Sequence, residues 1–297
     1  MTTQFTYEQA IQALQATQEL HDRTGAFFDA QGFEPKMDSL AARELQTFER
    51  PESVLTAYSQ GNSLVEVAAD HLIAFTRTIT EPAQSMAPWT MARVVLETCA
   101  LSCWLLDTKI TAPIRVKRSL ALRYEELFQQ TKFGRAANLP LESGKADERI
   151  EEVESMAESL GFAKLRGGKG ERTGIGQVMP SITEITRDTL KAEANYRLFS
   201  AMTHGRSWAY NQLSFRKTGE TDVLGNKAFY MEKHLPIEVV LWLCSNVARY
   251  FAQPIKSKCE LFGWDLVQFN GILDDVFRKI GIRPDSALWH SQQEDAG

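Results

Sequence analysis

The chain has 297 residues, 24% of them charged, and a net charge of −5. That length can bury a sizeable core in one large domain or two smaller ones, and the acidic balance argues against a dedicated non-specific DNA binder or a membrane-surface binder. Its four cysteines, Cys99, Cys103, Cys244 and Cys259, form no C-x-x-C pair and no metal-finger spacing, which reads as buried thiols in a reducing, cytoplasmic setting.

The first residues have neither a basic nor an apolar leader character, so no secretory signal is expected. Thr6-x-x-Gln9 is a capping box, after which Tyr7, Ile11 and Leu14 hold a helical period that Phe27 and Phe28 resume, and Gly32 and Pro35 close the helix. Asp38 or Ser39 caps a short helix through Phe48. Pro51 then opens a long one, in which Val54, Leu55, Tyr58, Leu64, Val65, Ala68, Leu72, Phe75 and Ile79 keep the period and Gly61 is the weak point.

Residues 86–106 and 236–252 are apolar enough to raise the question of a membrane span. Arg93 and Glu97 interrupt the first, and Glu238 and Arg249 the second, so both read as core helices. Ala112-Pro113 opens a helix with Ile114, Val116, Leu120, Leu127 and Phe128 on one side and Arg115, Lys117, Arg118 and Arg123 elsewhere, a basic face that is either solvated or meets an anion.

Residues 134–176 are charged and glycine-rich and read as an excursion from the core around one amphipathic helix, marked by Ile150, Val153, Met156 and Leu160. The R-G-G-K-G run at 166–170 is no P-loop: Ala163 stands where the first glycine is needed, Gly170 where a Ser or Thr is needed, and no strand is predicted before it.

Ser181-x-x-Glu184 is a second capping box. The polar segment near 216–232, with Gly219 and Gly225, is a small hairpin or an irregular loop. Pro236 starts a helix that is bent or interrupted at Pro254, a last helix runs from about Asp265 to Ile280 and stops at Gly281, and 291–297 read as a disordered tail. With no alternation of strands and helices, the expected fold class is all-α: a multi-helix bundle over 1–297, organised as a single mainly helical domain.

One stretch carries most of the chemistry. Read as one helix, 196–211 aligns Arg197, Ser200, His204, Ser207 and Asn211 on a single face, with spacings of three, four, three and four. Arg197 and His204, two turns apart, differ by only about twenty degrees around the axis, so guanidinium and imidazole can approach one anion together. An imidazole exchanges protons near neutral pH, and a guanidinium stabilises charge on a phosphate. Arg93 and Glu97, four apart on the most apolar helix, pair as structural glue or line a site for something charged. The same polar residues can instead satisfy one another, or the Arg93/Glu97 pair, inside a bundle. A carboxylate-bridged metal centre would need Glu-x-x-His pairs, which neither His71 nor His234 supplies, so no metal and no cofactor is expected.

The segment R-L-F-S-A-M-T-H resembles the R-x(4–6)-H signature of the HEPN superfamily, with Arg197 and His204 at the matching positions. Active members usually carry a polar residue after the arginine, where this chain has Leu198. The resemblance implies a helical bundle, frequently a homodimer, acting as a metal-independent ribonuclease or RNA-binding protein of bacterial defence or stress systems. In that reading His204 and Arg197 are catalytic, Arg93, Glu97 and Ser200 border the site, and Arg115, Arg118 and the loop from Lys164 to Arg172 steer RNA. No membrane and no DNA specificity enter it. The chain is also similar to uncharacterised bacterial helical proteins that pair an R-x-x-x-E helix with a later Y-R-x-x-S-x-x-x-H-G segment, here Arg93 to Glu97 and Tyr196 to Gly205, a likeness that implies no activity. A non-catalytic helical binding or scaffold protein is the alternative.

Overall fold

The computed structural model describes residues 5–80, 82–167 and 172–281. Among them are eleven helices and two antiparallel sheets of two strands each, an all-α architecture as the sequence implies. None of these helices is long and apolar enough to cross a membrane. The expected tail at 291–297 and the last three residues of the R-G-G-K-G run lie outside the described residues.

Local signals set most of the boundaries. In α1 (Tyr7–Gln31) the Thr6 hydroxyl accepts from Gln9 N–H at 3.3 Å while Thr6 N–H donates back to Gln9 Oε1 at 2.8 Å, and Gly32 ends the helix at φ 77°. Ser39 caps α2 (Leu40–Thr47), and Pro51 occupies the first turn of α3 (Pro51–Ile79), where its missing N–H costs no helical bond. After α4 (Ala87–Leu105), α5 (Ala112–Ala136) and α6 (Pro140–Ser159) come two short strands, β1 (Lys164–Arg166) and β2 (Arg172–Ile175). The 134–176 stretch thus holds the end of α5, the amphipathic α6 packed along it, and this ribbon. The second capping box starts α7 (Ile182–Leu190), followed by α8 (Glu193–Thr203) and α9 (Ser207–Leu213).

The segment near 216–232 is a true hairpin. β3 (Phe215–Val223) and β4 (Asn226–Lys233) pair around Leu224-Gly225, whose φ values of 53° and 79° suit a two-residue turn that matches strand twist. α10 (Ile237–Phe262) runs unbroken through Pro254, and α11 (Leu266–Ile280) ends at Gly281, φ 76°.

α4 is the hub, packed by α3, α5, α7, α8 and α10, which is why its sequence is apolar on nearly every face. Gly61 is where α3 and α4 close on each other. Ser102 Oγ donates to the Gly61 carbonyl at 2.8 Å, and a Cβ at Gly61 would stand 2.7 Å from Leu106 Cγ, inside a fully buried side chain. Gly61→Ala therefore sets a helix-propensity gain of about 0.5–1 kcal/mol against an overpacking cost of about 1–3 kcal/mol. The expected outcome is a net loss, read as a lowered urea midpoint.

The basic face expected on α5 is instead partly interior. Arg115 is fully buried and forks onto Glu44 of α2, Nε to Oε2 at 2.9 Å and Nη2 to Oε1 at 3.1 Å. It also donates to the carbonyls of Leu105 at 2.5 Å and Asp107 at 3.1 Å, while the Tyr58 hydroxyl donates to Glu44 at 2.5 Å. One guanidinium thus ties α2, α3, α5 and the α4–α5 turn together.

All four cysteines are free and buried. Burial pushes each thiol up, Cys244 and Cys259 to about 12. A thiol raised in the folded state keeps its proton after the unfolded chain has lost one, so its contribution is whole below the ordinary thiol value and is lost as pH rises toward the folded value. Above about pH 9 the unfolded chain gives up thiol protons that the folded chain retains, so stability declines with pH. Lys258 runs the other way: burial among Phe28, Phe262 and Trp264 lowers its amine to about 8, so its burial penalty eases as pH rises above that value. Four thiols outweigh one amine. The urea midpoint should fall steadily above about pH 9, and Cys244→Ala should flatten the decline; a midpoint that rises with pH contradicts this.

Candidate functional site

The first finding at the site is a break. α8 stops at Thr203, His204 is its C-cap, and Gly205 takes φ 62°. Gly205 N–H bonds the Met202 carbonyl at 3.1 Å and Arg206 N–H the Ala201 carbonyl at 2.8 Å, the paired closure that a glycine just past a helix end permits. The single stripe expected over 196–211 is therefore split. Arg197 and Ser200 lie on α8, His204 at its end, and Ser207 and Asn211 on the separate α9.

His204 does not pair with Arg197. Arg197 is exposed and turned toward the first turn of its own helix, where Nε and Nη2 bond Glu193 Oε1 at 3.0 and 2.8 Å. Seven residues of helix separate it from His204, a rise of about 10 Å. The guanidinium beside His204 belongs to Arg93 of α4, with Nη1 at 3.0 Å from His204 Nε2. Arginine has no acceptor, so this bond needs a lone pair on Nε2, and the ring then carries its proton on Nδ1. Arg93 Nε bonds Glu97 Oε1 at 2.7 Å, and the Arg93 guanidinium carbon lies 5.7 Å from the centre of the Tyr196 ring. The pair is half-buried, with side-chain exposures of 19% for Arg93 and 25% for Glu97, whereas His204 is exposed. The half-buried Ser200 carries the carbonyl that receives His204 N–H at 3.0 Å.

The scaffold beneath is aromatic. Trp89 of α4, Phe199 of α8 and Trp242 of α10 form a cluster: Phe199 meets Trp89 and Trp242 edge-to-face, each at 5.9 Å between ring centres, Trp89 and Trp242 lie tilted at 6.3 Å, and Trp89 and Phe199 are fully buried. That cluster fixes α4 against α8, which holds Arg93 at His204. Alongside it, Asn195 donates to Asn246 Oδ1 at 3.0 Å and to the Tyr250 hydroxyl, which itself donates to Asn246 Oδ1 at 3.1 Å. Burial raises that phenol.

Three expected contributors are placed elsewhere. Arg115 cannot steer RNA, because it is enclosed and held by Glu44. Arg118 is half-buried, donates to the Trp104 carbonyl at 2.5 Å and faces Asp107 at 3.6 Å, so it fastens the α4–α5 turn. Lys164 is shared by Glu154 at 3.3 Å and Glu158 at 3.2 Å. Both arginines looked solvent-facing because periodicity shows only which residues avoid the main apolar stripe.

Sequence reasoning missed Tyr196 as the ring under Arg93, and it missed Arg206 and Trp208, exposed on the elbow between α8 and α9. The signal for the elbow was the glycine of His204-Gly205. Among the described residues no group of three or more His, Cys, Asp or Glu side chains could hold a metal ion. No protein-family model, no curated protein and no solved structure matches the chain.

Proposed function

We propose that the chain acts on RNA as a metal-independent, HEPN-like ribonuclease, of the kind used in bacterial defence and stress responses. The supporting observation is an exposed imidazole, His204, bonded at 3.0 Å to a guanidinium whose other edge is clamped by a carboxylate. An incoming phosphate competes for Arg93 Nη1, and when it takes that donor the Nε2 lone pair of His204 is released. The imidazole then accepts the proton of the ribose 2′-hydroxyl as the 2′ oxygen bonds phosphorus; the bond from phosphorus to the 5′ oxygen breaks, and that oxygen takes a proton from solvent. Arg93 neutralises the charge gathering on the phosphoryl oxygens, and Glu97 keeps the guanidinium in place. Relative to the sequence motif, the phosphate-holding role passes from Arg197 to Arg93. A homodimer with two such sites is part of this reading.

A second reading, a non-catalytic helical scaffold, is favoured by one fact: Arg93 and Arg197 are each already paired with a carboxylate. Labelled RNA incubated with the wild type and with His204→Ala in the presence of a chelator separates them. The ribonuclease reading expects cleavage that the substitution abolishes, and the scaffold reading expects intact RNA in both.

A further inference from the structure

Four residues beyond His204 the chain exposes an indole. Trp208 is 53% exposed. Its helix is anchored from behind: Ala209 and Leu213 are buried, the Tyr210 ring centre lies 5.2 Å from that of Phe215, and Ser214 Oγ donates to the Ser85 carbonyl at 3.2 Å. Between His204 and Trp208 in the chain comes Arg206, also exposed, with its backbone held on both sides by the bonds of its N–H to the Ala201 carbonyl at 2.8 Å and of its carbonyl to Ala209 N–H at 2.9 Å. No carboxylate pairs with it among the described residues, whereas Arg93, Arg197 and Arg216 are each engaged by a glutamate.

A guanidinium with no carboxylate partner among the described residues and an exposed indole, two and four residues along the chain from the imidazole that accepts the 2′-hydroxyl proton, match the two halves of a nucleotide, its phosphate and its base. Residues 204–208 read H-G-R-S-W and carry no carboxylate to repel a phosphate. We infer that Arg206 and Trp208 hold the nucleotide flanking the cleaved bond, Arg206 on its phosphate and Trp208 on its base, a placement that rests on the RNA reading above. Stacking needs an unpaired base, so the elbow selects single-stranded RNA over a duplex.

The test is fluorescence anisotropy with a dye-labelled short single-stranded RNA and with its duplex, on the full chain. Trp208→Ala and Arg206→Ala should each weaken single-strand binding about tenfold, Trp208→Phe should stay within about threefold of wild type, and duplex binding should be weak and indifferent to Trp208→Ala. Both positions are exposed, so thermal midpoints should match the wild type. Unchanged single-strand affinity in Trp208→Ala, equal losses for the duplex, no RNA binding by the wild type, or a dimer that Trp208→Ala converts to monomer would each overturn the assignment, the last in favour of a contact between copies. Trp208-dependent binding without any cleavage would sink the His204 chemistry and leave the elbow standing. Cleavage indifferent to Trp208→Ala would do the reverse.

Discussion

Arg115→Met is expected to destabilise the fold by about 3–5 kcal/mol, measured as a lowered urea midpoint at neutral pH. The substitution keeps the volume of the stem but strips Glu44 of its counter-charge inside the protein, where Glu44 is only 6% exposed. The carbonyls of Leu105 and Asp107 lose their donors in the same step. Against a total stability on the order of 5–15 kcal/mol, that loss leaves a marginal fold. Adding Glu44→Gln should recover more than half of it, because the amide still accepts from Tyr58 and no unpaired charge remains. If the single and double variants unfold at the same midpoint, the cost lies in packing rather than in the orphaned carboxylate.

His204→Ala is expected to lower RNA cleavage by about 10²–10⁴-fold while shifting stability by no more than about 0.5 kcal/mol. The two readouts separate because His204 is exposed and its side chain has one bond among the described residues, to Arg93. Arg93→Ala should reduce activity comparably and also cost stability, since Glu97 is half-buried and loses its partner. Arg197→Ala is the discriminating variant. In the R-x6-H reading it should be as damaging as His204→Ala, but here Arg197 is occupied by Glu193 at the far end of α8, so cleavage should stay within about threefold of wild type. An inactive Arg197→Ala protein that remains folded would restore the motif's own pair.

The legible parts of the fold were those with a short-range cause. Thr6 with Gln9, Ser181 with Glu184, Pro51 and Gly281 each act within one helical turn, and each marks its boundary in the structure. Arg93 with Glu97 was readable for the same reason, being one turn apart. Arg115 was not, because its partner Glu44 lies 71 residues away and no local pattern announces it. Gly61 looked like a weak helix residue until the closeness of α4 gave it a purpose. The stripe over 196–211 failed in a more instructive way. Polar residues kept a helical spacing across a helix that ends, so Gly205, a standard stop signal, was outweighed by a periodicity with no continuous helix beneath it. What survives is His204, with the Arg93/Glu97 pair as its neighbour and Arg197 on another partner.

The most direct measurement is the end chemistry of RNA treated with the purified protein in the presence of a chelator, at dimer-forming concentration and over a range of pH. Attack by the 2′-hydroxyl predicts fragments ending in a 2′,3′-cyclic phosphate from the wild type and from Arg197→Ala, and intact RNA from His204→Ala and Arg93→Ala. RNA left intact by the wild type at every pH, or cut equally by His204→Ala, would contradict the account.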